Sequence, residues 1–234
     1  INRIERDDEA VTFGAAVTYT SALPALDEIA PSFAQLVRRI GSRQIRNLGT
    51  IGGNICNASP IGDTPPCLIA LNAVMIARGS NGQREIPADD FFTDYRKTAL
   101  GADEVLEAIR VPIPSSDLVF RAYKISKRFD QDISAVVGAF AITVEDGVVA
   151  SVRIAFGGMA ATPARALACE AALIGQPWSL GTAIAVGLAL TEDFTPLTDF
   201  RASQDYRTRV ARNLLQRLHL DTTQEALPVE VMAL

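Results

Sequence analysis

The sequence has few of the residues from which metal centres and disulfide scaffolds are built. Its 234 residues include three cysteines and one histidine, which are Cys56, Cys67, Cys169 and His219. Since no two cysteines form a Cys-x2-Cys pair, neither a zinc site nor an iron–sulfur cluster held by this chain is expected. His219 lies in an amphipathic helical pattern, which argues against a histidine-based triad. Reduced thiols and the absence of a signal peptide predict the cytoplasm.

Long apolar runs and an excess of positive charge are missing as well. Charged residues or prolines interrupt every apolar run well before it could form a transmembrane helix. The 22 Lys and Arg against 27 Asp and Glu give a net charge of −5, so no basic surface for nucleic acid or an anionic membrane is expected. Apolar residues make up 48% of the chain, which excludes a disordered protein.

Periodicity in the first half predicts mixed secondary structure. Val11–Tyr19 alternates as a strand does, and apolar residues recur at three- and four-residue steps from Leu26 to Ile40, which predicts one helix ended by Gly41. Gln44–Pro66 is rich in Gly, Asn, Ser and Pro and follows neither period. We therefore expect a tight loop-and-strand segment there, with no helix.

Turn residues then lead to a candidate domain boundary. Ser80-Asn81-Gly82 predicts a hairpin turn, Ala88–Tyr95 a short polar helical turn, and Glu104–Pro114 a strand. Prolines and serines from Pro112 to Ser116 end that strand. They divide the chain into two predicted domains, 1–116 and 117–234.

The second half has a simpler pattern. Three strands are predicted, at Phe120–Ser126, Ala135–Val144 and Val148–Phe156. Three helices follow, at about Thr162–Ile174, Gly181–Leu190 and Ser203–Leu220. The last has an apolar stripe of Tyr206, Val210, Leu214 and Leu218, and we interpret the arginines around it as a solvated face. An α+β fold is expected, in which helices cover one face of a three-stranded antiparallel sheet.

Asn47–Pro66 carries the strongest chemical signal, with the sequence NLGTIGGNICNASPIGDTPP. Adjacent Gly52 and Gly53 allow close backbone approach, and successive free N–H groups in such a turn suit a phosphate. Asp63 adds a carboxylate for sugar hydroxyls or a ring N–H, and shorter hydrogen-bonding side chains stand at Thr50, Asn54 and Ser59. For the two glycines alone, a plain turn with an Asn cap is the alternative.

Three stretches together resemble one family. TIGGNICNASPIGD is similar to the flavin-binding segment in the FAD subunits of xanthine dehydrogenases and other molybdenum hydroxylases. FFTDYRKTAL at Phe91–Leu100 resembles the segment before the next flavin-contact strand, and AYKISKRFDQDISAV at Ala122–Val136 resembles the family's loop near the flavin ring. The resemblance runs in order from about Thr12 to the final helix. It implies the second FAD subdomain, of the PCMH type, followed by a CO dehydrogenase flavoprotein-like C-terminal domain.

The same resemblance implies a set of FAD-binding residues. The positions that match the loop around the FAD pyrophosphate and ribityl chain are Thr50, Ile51, Gly52, Gly53 and Asn54, with Ser59 nearby. Asp63 matches the flavin-contacting aspartate. Ile40 and Leu106 match the side chains on the two faces of the isoalloxazine, although many members have an aromatic residue at the position of Ile40. Lys124 matches a lysine that tunes the ring, because a cation favours the anionic reduced flavin.

A nicotinamide pocket is implied by three further positions. Tyr95 and Ile133 match residues that line it, and Gln131 stands where some relatives have an acidic residue. Simpler explanations exist for several of these residues: Tyr95 as an interface aromatic, Leu106 as a core strand residue, Lys124 as a solvated strand end. The segment around Lys127 and Arg128 is equally explained as an ordinary charged loop.

The function that the resemblance implies is electron transfer in xanthine dehydrogenase. FAD would receive electrons from 2Fe–2S clusters and reduce NAD+ while xanthine or hypoxanthine is hydroxylated to urate. The clusters, the molybdenum cofactor and another FAD subdomain with its own glycine-rich phosphate loop would belong to upstream segments or partner subunits of a hetero-oligomer. No catalytic residue is expected on this chain beyond flavin tuning by Lys124.

Two alternatives remain at this point. The chain could serve a carbon monoxide dehydrogenase-type or aromatic acyl-CoA reductase molybdoenzyme, or it could be an assembly module without flavin. Tyr95 in its YRKT context favours the xanthine branch, because a nicotinamide pocket needs a stacking ring. The glycine pair and Asp63 favour a flavin site over a bare assembly module.

Overall fold

The computed structural model describes residues 1–223 and has helices packed on two larger antiparallel sheets. The first sheet follows the order β1-β2-β7-β3-β4, and β5 and β6 form a separate small hairpin. Their bounds are β1 Ile4–Arg6, β2 Ala10–Gly14, β3 Val74–Gly79, β4 Gly82–Pro87, β5 Phe92–Asp94, β6 Lys97–Thr98 and β7 Val105–Pro112. The predicted hairpin turn at Ser80-Asn81-Gly82 is confirmed, because β3 and β4 pair across it.

Six helices belong to the first half of the chain. They are α1 Tyr19–Ile29, α2 Pro31–Arg38, α3 Arg43–Leu48, α4 Ile51–Cys56, α5 Thr64–Ala70 and α6 Ala88–Phe91. The prediction of one helix through Leu26–Ile40 is wrong, because Ala30, between α1 and α2, lies outside the helical region with φ −154° and ψ 73°. The residue before a proline disfavours the helical region, so Pro31 ends one helix and begins the next.

The prediction that Gln44–Pro66 has no helix is also wrong. Ser42 and Thr50 cap α3 and α4 with their hydroxyls, and prolines occupy the first turn of α5. Helices of six or seven residues show less than two turns of periodicity, and two glycines hide it further in α4. In this segment the helices are recognisable from their capping residues and first-turn prolines, and their apolar residues show no helical period.

The second sheet has the order β11-β10-β9-β8. Its strands are β8 Leu118–Ile125, β9 Val136–Glu145, β10 Val148–Gly157 and β11 Ala164–Arg165. The three predicted strands are therefore confirmed, and β11 adds a short fourth strand inside a segment that was predicted to be helical. Asp146 and Gly147 both have positive φ at the β9–β10 turn, as a type I′ hairpin requires. The α+β class is confirmed.

Helices cover this second sheet. They are α7 Leu167–Leu173, α8 Leu180–Val186, α9 Leu190–Asp193 and α10 Gln204–Thr223, with a 3-10 turn at Gly187–Ala189. The interpretation of every arginine on α10 as solvated is wrong for Arg207, which is 2% exposed. Its guanidinium donates to the carbonyls of Ala135 and Gly158 and pairs with Asp199. Tyr206, assigned to the apolar stripe, is 48% exposed instead.

The hydrophobic core continues from the first half into the second. Helix α5 is buried along its whole length and packs on β9 and β10. One core cluster joins its side chains to residues of the second sheet, among them Phe120, Val137 and Ala155. No helix within residues 1–223 has the length and apolarity that crossing a membrane requires. Those residues also form no cluster of three or more His, Cys, Asp or Glu side chains suited to a metal ion.

Candidate functional site

The glycine pair lies in the first turn of α4. Thr50 is the N-cap, and its Oγ1 accepts a hydrogen bond from the N–H of Gly53 at 3.0 Å. Other amides of the turn also donate within the protein: Ile51 to the Val17 carbonyl, Gly52 to the Ala15 carbonyl and Asn54 to the Thr50 carbonyl. The expectation of free N–H groups is therefore wrong. What the turn offers an anion is the Thr50 hydroxyl, which can still donate its proton, and the open face at Gly53.

The two glycines are needed for different reasons. A Cβ on Gly52 would lie 2.5 Å from the Ala15 carbonyl oxygen, so Gly52 permits close packing of α4 on the chain after β2. A Cβ on Gly53 would meet only the Thr50 Oγ1, at 2.9 Å, and Gly53 is exposed. Gly52 therefore supports the fold, whereas Gly53 leaves the outer face of the turn open to a ligand.

A hydrogen-bonded path leads from α4 to Asp63. The Oδ1 atom of Asn54 accepts from both the backbone N–H and the hydroxyl of Thr64, the latter at 2.6 Å. Thr64 is fully buried and follows Asp63 directly. Ser59 is half-buried before it, in a turn closed by the Gly62 N–H donating to the Ser59 carbonyl. The glycine turn and the carboxylate therefore occupy fixed positions relative to each other.

Asp63 joins the two halves of the molecule. Its Oδ2 pairs with the Lys124 Nζ at 2.5 Å, and its Oδ1 accepts from the Ser134 hydroxyl at 2.5 Å. All three residues are buried: Asp63 is 8% exposed, Lys124 5% and Ser134 1%. The alternative explanation of Lys124 as a solvated strand end is therefore wrong. Sequence reasoning missed Ser134, because a serine in a charged loop gives no sign that it will be buried.

The Asp63 carboxylate lies among largely buried side chains, and the nearby Arg39 guanidinium adds a further positive charge that interacts with it. Burial, and secondarily the Asp63 charge, raises the pKa of the Tyr19 phenol, which therefore stays protonated at neutral pH. Burial together with the same carboxylate raises the pKa of the Cys67 thiol, which is therefore unreactive. The Lys124–Asp63 pair is buried as well, so removing either partner is costly.

Ile40 and Leu106 differ in their surroundings. Leu106 lies on β7 in register with Ala77, is 6% exposed and belongs to the core, as its alternative explanation stated. Ile40 is half-buried after α2 and packs against the same core. The Ala15 N–H donates to the carbonyl of Glu107, the residue after Leu106. The Ala15 carbonyl in turn accepts a hydrogen bond from the Gly52 N–H. Leu106 is therefore close to the glycine turn along the backbone, and its contact with a flavin ring stays a prediction.

The segment between β8 and β9 is an exposed loop held at its base. Arg39 donates to the carbonyls of Lys124 and Phe129, and its guanidinium lies 4.4 Å from the centre of the Phe129 ring. Burial lowers the pKa of Arg39, although the charges of Asp63 and Asp130 oppose this effect. Further along the loop, Gln131 has φ +51° and Ile133 is 54% exposed. Both side chains are therefore available to a ligand.

Tyr95 lies on a separate element, the turn between β5 and β6. It is 56% exposed, and the guanidinium of Arg96 lies 5.8 Å from the centre of its ring. The structure thus brings together the glycine turn, Asp63 and Lys124, and it places the three nicotinamide candidates on two exposed segments. Their roles toward FAD and NAD stay predictions.

The residues present suit the phosphate end of a dinucleotide. The exposed backbone at Gly53 and the Thr50 hydroxyl lie together, and no acidic side chain stands in the first turn of α4. Beside them, the buried Lys124 and Asp63 provide a fixed cation and a fixed acceptor, which suit the polar edge of a flavin ring.

Comparisons with known proteins assign each half of the chain to a family. Residues 1–114 match the family described as the FAD binding domain in molybdopterin dehydrogenase, and residues 121–222 match the CO dehydrogenase flavoprotein C-terminal domain. The carbon monoxide dehydrogenase from Hydrogenophaga pseudoflava superposes with a TM-score of 0.87 and 31% identity over 92% of this chain and 76% of that one.

Curated relatives fall into two length classes. The glyceraldehyde dehydrogenase medium chain of Sulfolobus acidocaldarius is 30% identical over 93% of this chain and 77% of its own length. A nicotinate hydroxylase of Emericella nidulans is 40% identical over 65% of this chain, and a xanthine dehydrogenase of the same organism is 39% identical over 61%. This chain spans only 12% and 11% of those two longer proteins. Together these matches show that the chain belongs to the flavoprotein family of the molybdenum hydroxylases, as their FAD-binding portion.

Proposed function

We propose that this chain holds FAD in a xanthine dehydrogenase, where electrons from 2Fe–2S clusters pass to NAD+ during hydroxylation of xanthine or hypoxanthine to urate. The observation that carries the proposal is the continuous connection from the glycine turn through Asn54 and Thr64 to the buried Asp63–Lys124 pair. This connection joins the two matched family regions, which supports a shared site between them. The 39% identical xanthine dehydrogenase supports the choice of substrate.

Each part of the site has a separate task in this proposal. Bound FAD supplies the step between one-electron transfer from the clusters and hydride transfer to NAD+. Thr50 and the exposed Gly53 hold the pyrophosphate, and Ile40 and Leu106 confine the ring. Lys124 stabilises negative charge on the ring, because a buried cation acts there with little screening. Asp63 keeps that cation in one position through the 2.5 Å ion pair.

The acceptor side of the proposal uses exposed residues. Tyr95 provides an aromatic face for the nicotinamide, and Ile133 covers its edge. Gln131 is neutral, so it places no negative charge in the path of an anionic dinucleotide. These three side chains are all exposed, as contact with a diffusing cosubstrate requires.

Partner subunits complete the proposed enzyme. The 2Fe–2S clusters and the molybdenum cofactor lie on other subunits or domains of a cytoplasmic hetero-oligomer. The glyceraldehyde dehydrogenase relative is itself named a medium chain, which supports a multi-subunit assembly. The hydroxylated substrate is bound by the molybdenum-containing partner.

The experiment that tests the proposal is purification of the complete assembly with assays for flavin and for acceptor use. We expect FAD to be released from the protein on denaturation and identified by its fluorescence, since the 2Fe–2S clusters of the assembly also absorb at about 450 nm. Xanthine added anaerobically should bleach the absorbance of flavin and clusters, and NAD+ should restore it. A folded assembly that releases no FAD would overturn the flavin assignment, and an assembly that xanthine does not reduce would overturn the choice of substrate.

A nicotinate hydroxylase is a second candidate, favoured by the 40% identical relative of that name. The carbon monoxide dehydrogenase type is a third, favoured by the structural superposition. The same anaerobic experiment separates them, because nicotinate or carbon monoxide would then bleach the flavin where xanthine does not. Reduction of a dye without reduction of NAD+ would favour the carbon monoxide dehydrogenase type.

A further inference from the structure

Ser134 is a buried polar residue that the proposed function does not use. It stands where the exposed loop 126–133 enters β9, and it is only 1% exposed. Its hydroxyl donates to the Asp63 Oδ1 at 2.5 Å, from the side opposite to Lys124. A serine at this depth needs a partner, and here the partner is a carboxylate from the first half of the chain.

The same loop has a second attachment at its beginning. Arg39 donates to the carbonyls of Lys124 and Phe129, and the Ala135 N–H donates to the Ile125 carbonyl across the base of the loop. The base is therefore closed by one backbone bond and held by two arginine side chains: Arg39, directly after α2, and Arg207 of α10, which donates to the Ala135 carbonyl. Ser134 is the attachment on the β9 side of the loop and directly follows Ile133, whereas the Arg39 bond to the Phe129 carbonyl holds the loop on the other side of Gln131.

We propose that Ser134 is a positioning residue, which holds Gln131 and Ile133 in register with the flavin site through its bond to Asp63. The inference rests on the proposed function, because it assigns a task to the loop that the proposal places at the nicotinamide. Asp63 then holds both the Lys124 ammonium and the end of loop 126–133 in position. A change at Ser134 moves the loop and leaves the Lys124–Asp63 pair in place.

The expected consequence is an effect on acceptor use in particular. Ser134→Ala removes the hydroxyl and leaves Asp63 paired with Lys124. We expect KM for NAD+ to rise about tenfold, as the loss of one hydrogen bond to a charged group produces, with the rate of dye reduction unchanged. Ser134→Thr retains a hydroxyl and should return KM toward the wild-type value. Ser134→Cys keeps the size but donates weakly, so it should resemble the alanine variant.

A matched control is available at Ser32. This serine is also buried at the contact between the two halves, where its hydroxyl accepts from the Ala122 N–H at 2.8 Å. Ser32→Ala removes a comparable inter-half hydrogen bond without touching Asp63 or the loop. KM for NAD+ should remain unchanged in this variant.

The test uses the assembled enzyme and two readouts, KM for NAD+ and amide hydrogen exchange of residues 126–135. Faster exchange confined to this loop in Ser134→Ala, together with the raised KM, supports the inference. Unchanged exchange and KM in a variant with full flavin content would overturn it, as would an equal effect of Ser32→Ala. If Ser134→Ala does not assemble, the comparison of Ser134→Thr with Ser134→Cys decides: equal KM values would overturn the inference. If the wild-type enzyme reduces dye but no NAD+, the proposed function fails, and hydrogen exchange alone still tests the attachment of the loop.

Discussion

Single residues at this site combine structural and binding tasks, and the glycine pair shows how closely the two can lie together. Gly52 has no room for a Cβ because the Ala15 carbonyl lies 2.5 Å from where it would be. Gly53 faces outward, and only the Thr50 hydroxyl lies near. In the sequence motif the two glycines look equivalent. In the structure, Gly52 is required for packing against Ala15, whereas Gly53 keeps the outer face of the turn open.

This difference predicts different outcomes for two substitutions. Gly53→Val should lower FAD content severalfold, because a branched side chain covers the exposed face of the turn; the shift that it forces on the Thr50 cap should cost about 1 kcal/mol in stability. Gly52→Ala should cost about 1–3 kcal/mol, because the added methyl overlaps a backbone carbonyl, and should leave the exposed face of the turn open. FAD released per protein and urea unfolding measure the two effects. Normal flavin content in Gly53→Val would contradict the phosphate site.

Lys124 is buried with Asp63, so its replacement should affect both the stability of the protein and the potential of the flavin. Lys124→Met leaves the Asp63 carboxylate buried with one neutral partner, so we expect a loss of about 3–5 kcal/mol in stability. The loss of the cation should also lower the flavin midpoint potential. Lys127→Met changes the net charge equally at an exposed position and serves as the control. Spectroelectrochemistry measures the potential, and equal potentials in both variants would place Lys124 away from the ring.

A second substitution, Asp63→Asn, separates the effect of the lost Lys124 charge from the effect of an unpaired buried carboxylate. In the double variant Lys124→Met with Asp63→Asn, no unpaired charge is buried, so we expect much of the lost stability to return. The potential should also rise from its Lys124→Met value, because Asp63→Asn removes a negative charge from the site and so offsets the loss of the cation. A potential equal to that of Lys124→Met would show that the Asp63 charge does not act on the ring.

Tyr95 is exposed, which makes its proposed role separable from folding. Tyr95→Ala should weaken NAD+ reduction more than dye reduction, by about tenfold for the loss of a stacking ring, with no change in unfolding midpoint. Tyr206 is a comparably exposed tyrosine on α10 and gives the matched control, Tyr206→Ala. Equal losses with NAD+ and dye would count against a nicotinamide pocket at Tyr95.

At the scale of elements, sequence patterns predicted the long strands of the second sheet well and the short helices poorly, and the strand predicted over Val11–Tyr19 ends at Gly14. Strands β8, β9 and β10 alternate or run apolar over eight to ten residues, and turn residues bound them. Helices α3 and α4 have six residues each, and their caps Ser42 and Thr50 are polar residues that also occur in loops. Helix α5 is buried on all sides, so it has no polar face from which a period could be recognised.

Some residues of the site could be predicted from the sequence, whereas the contacts between them could not. Residue types and order indicated the glycine turn, Asp63 and Lys124, because the family's motif covers them. The bond between Asp63 and Ser134 joins residues 71 positions apart, and only the packing of β9 against α5 creates it. The same holds for Arg207, whose arginine-rich neighbourhood suggested solvent.

Helix α10 provides a prediction at this scale. Arg207→Leu should lower stability by about 3 kcal/mol, since the carbonyls of Ala135 and Gly158 lose their donor and Asp199 loses its cation. Arg209 is exposed on the same helix, so Arg209→Leu should stay within about 0.5 kcal/mol of wild type. Urea unfolding compares the two, and similar midpoints would show that the buried guanidinium contributes nothing net.

For the whole molecule, two sheets and two matched family regions coexist with a shared core. Side chains of α5 pack into the same cluster as Val137, Ala139 and Ala155 of the second sheet. Polar contacts reinforce this continuity: Asp89 pairs with Arg153 at 2.6 Å and with Arg165 at 3.1 Å across the contact between the halves. The division into domains 1–116 and 117–234 stays a prediction about the chain's organisation, and the packing joins the two parts energetically.

Continuous packing of this kind predicts one cooperative unfolding transition for the full chain. Exposing either half alone would uncover the apolar surface of α5 or of β9 and β10, so a state with one half unfolded is unfavourable. Asp89→Asn weakens both ion pairs and should lower Tm by about 2–4 °C, the shift for about 1 kcal/mol in a chain of this size, without dividing the transition. Asp90→Asn, at the exposed neighbouring carboxylate, should leave Tm unchanged. Calorimetry and far-ultraviolet circular dichroism should give the same midpoint, because a flavin site built from both halves requires that they fold together. Two separate transitions in the wild-type chain would show instead that the Asp63–Lys124 contact forms between independently stable domains.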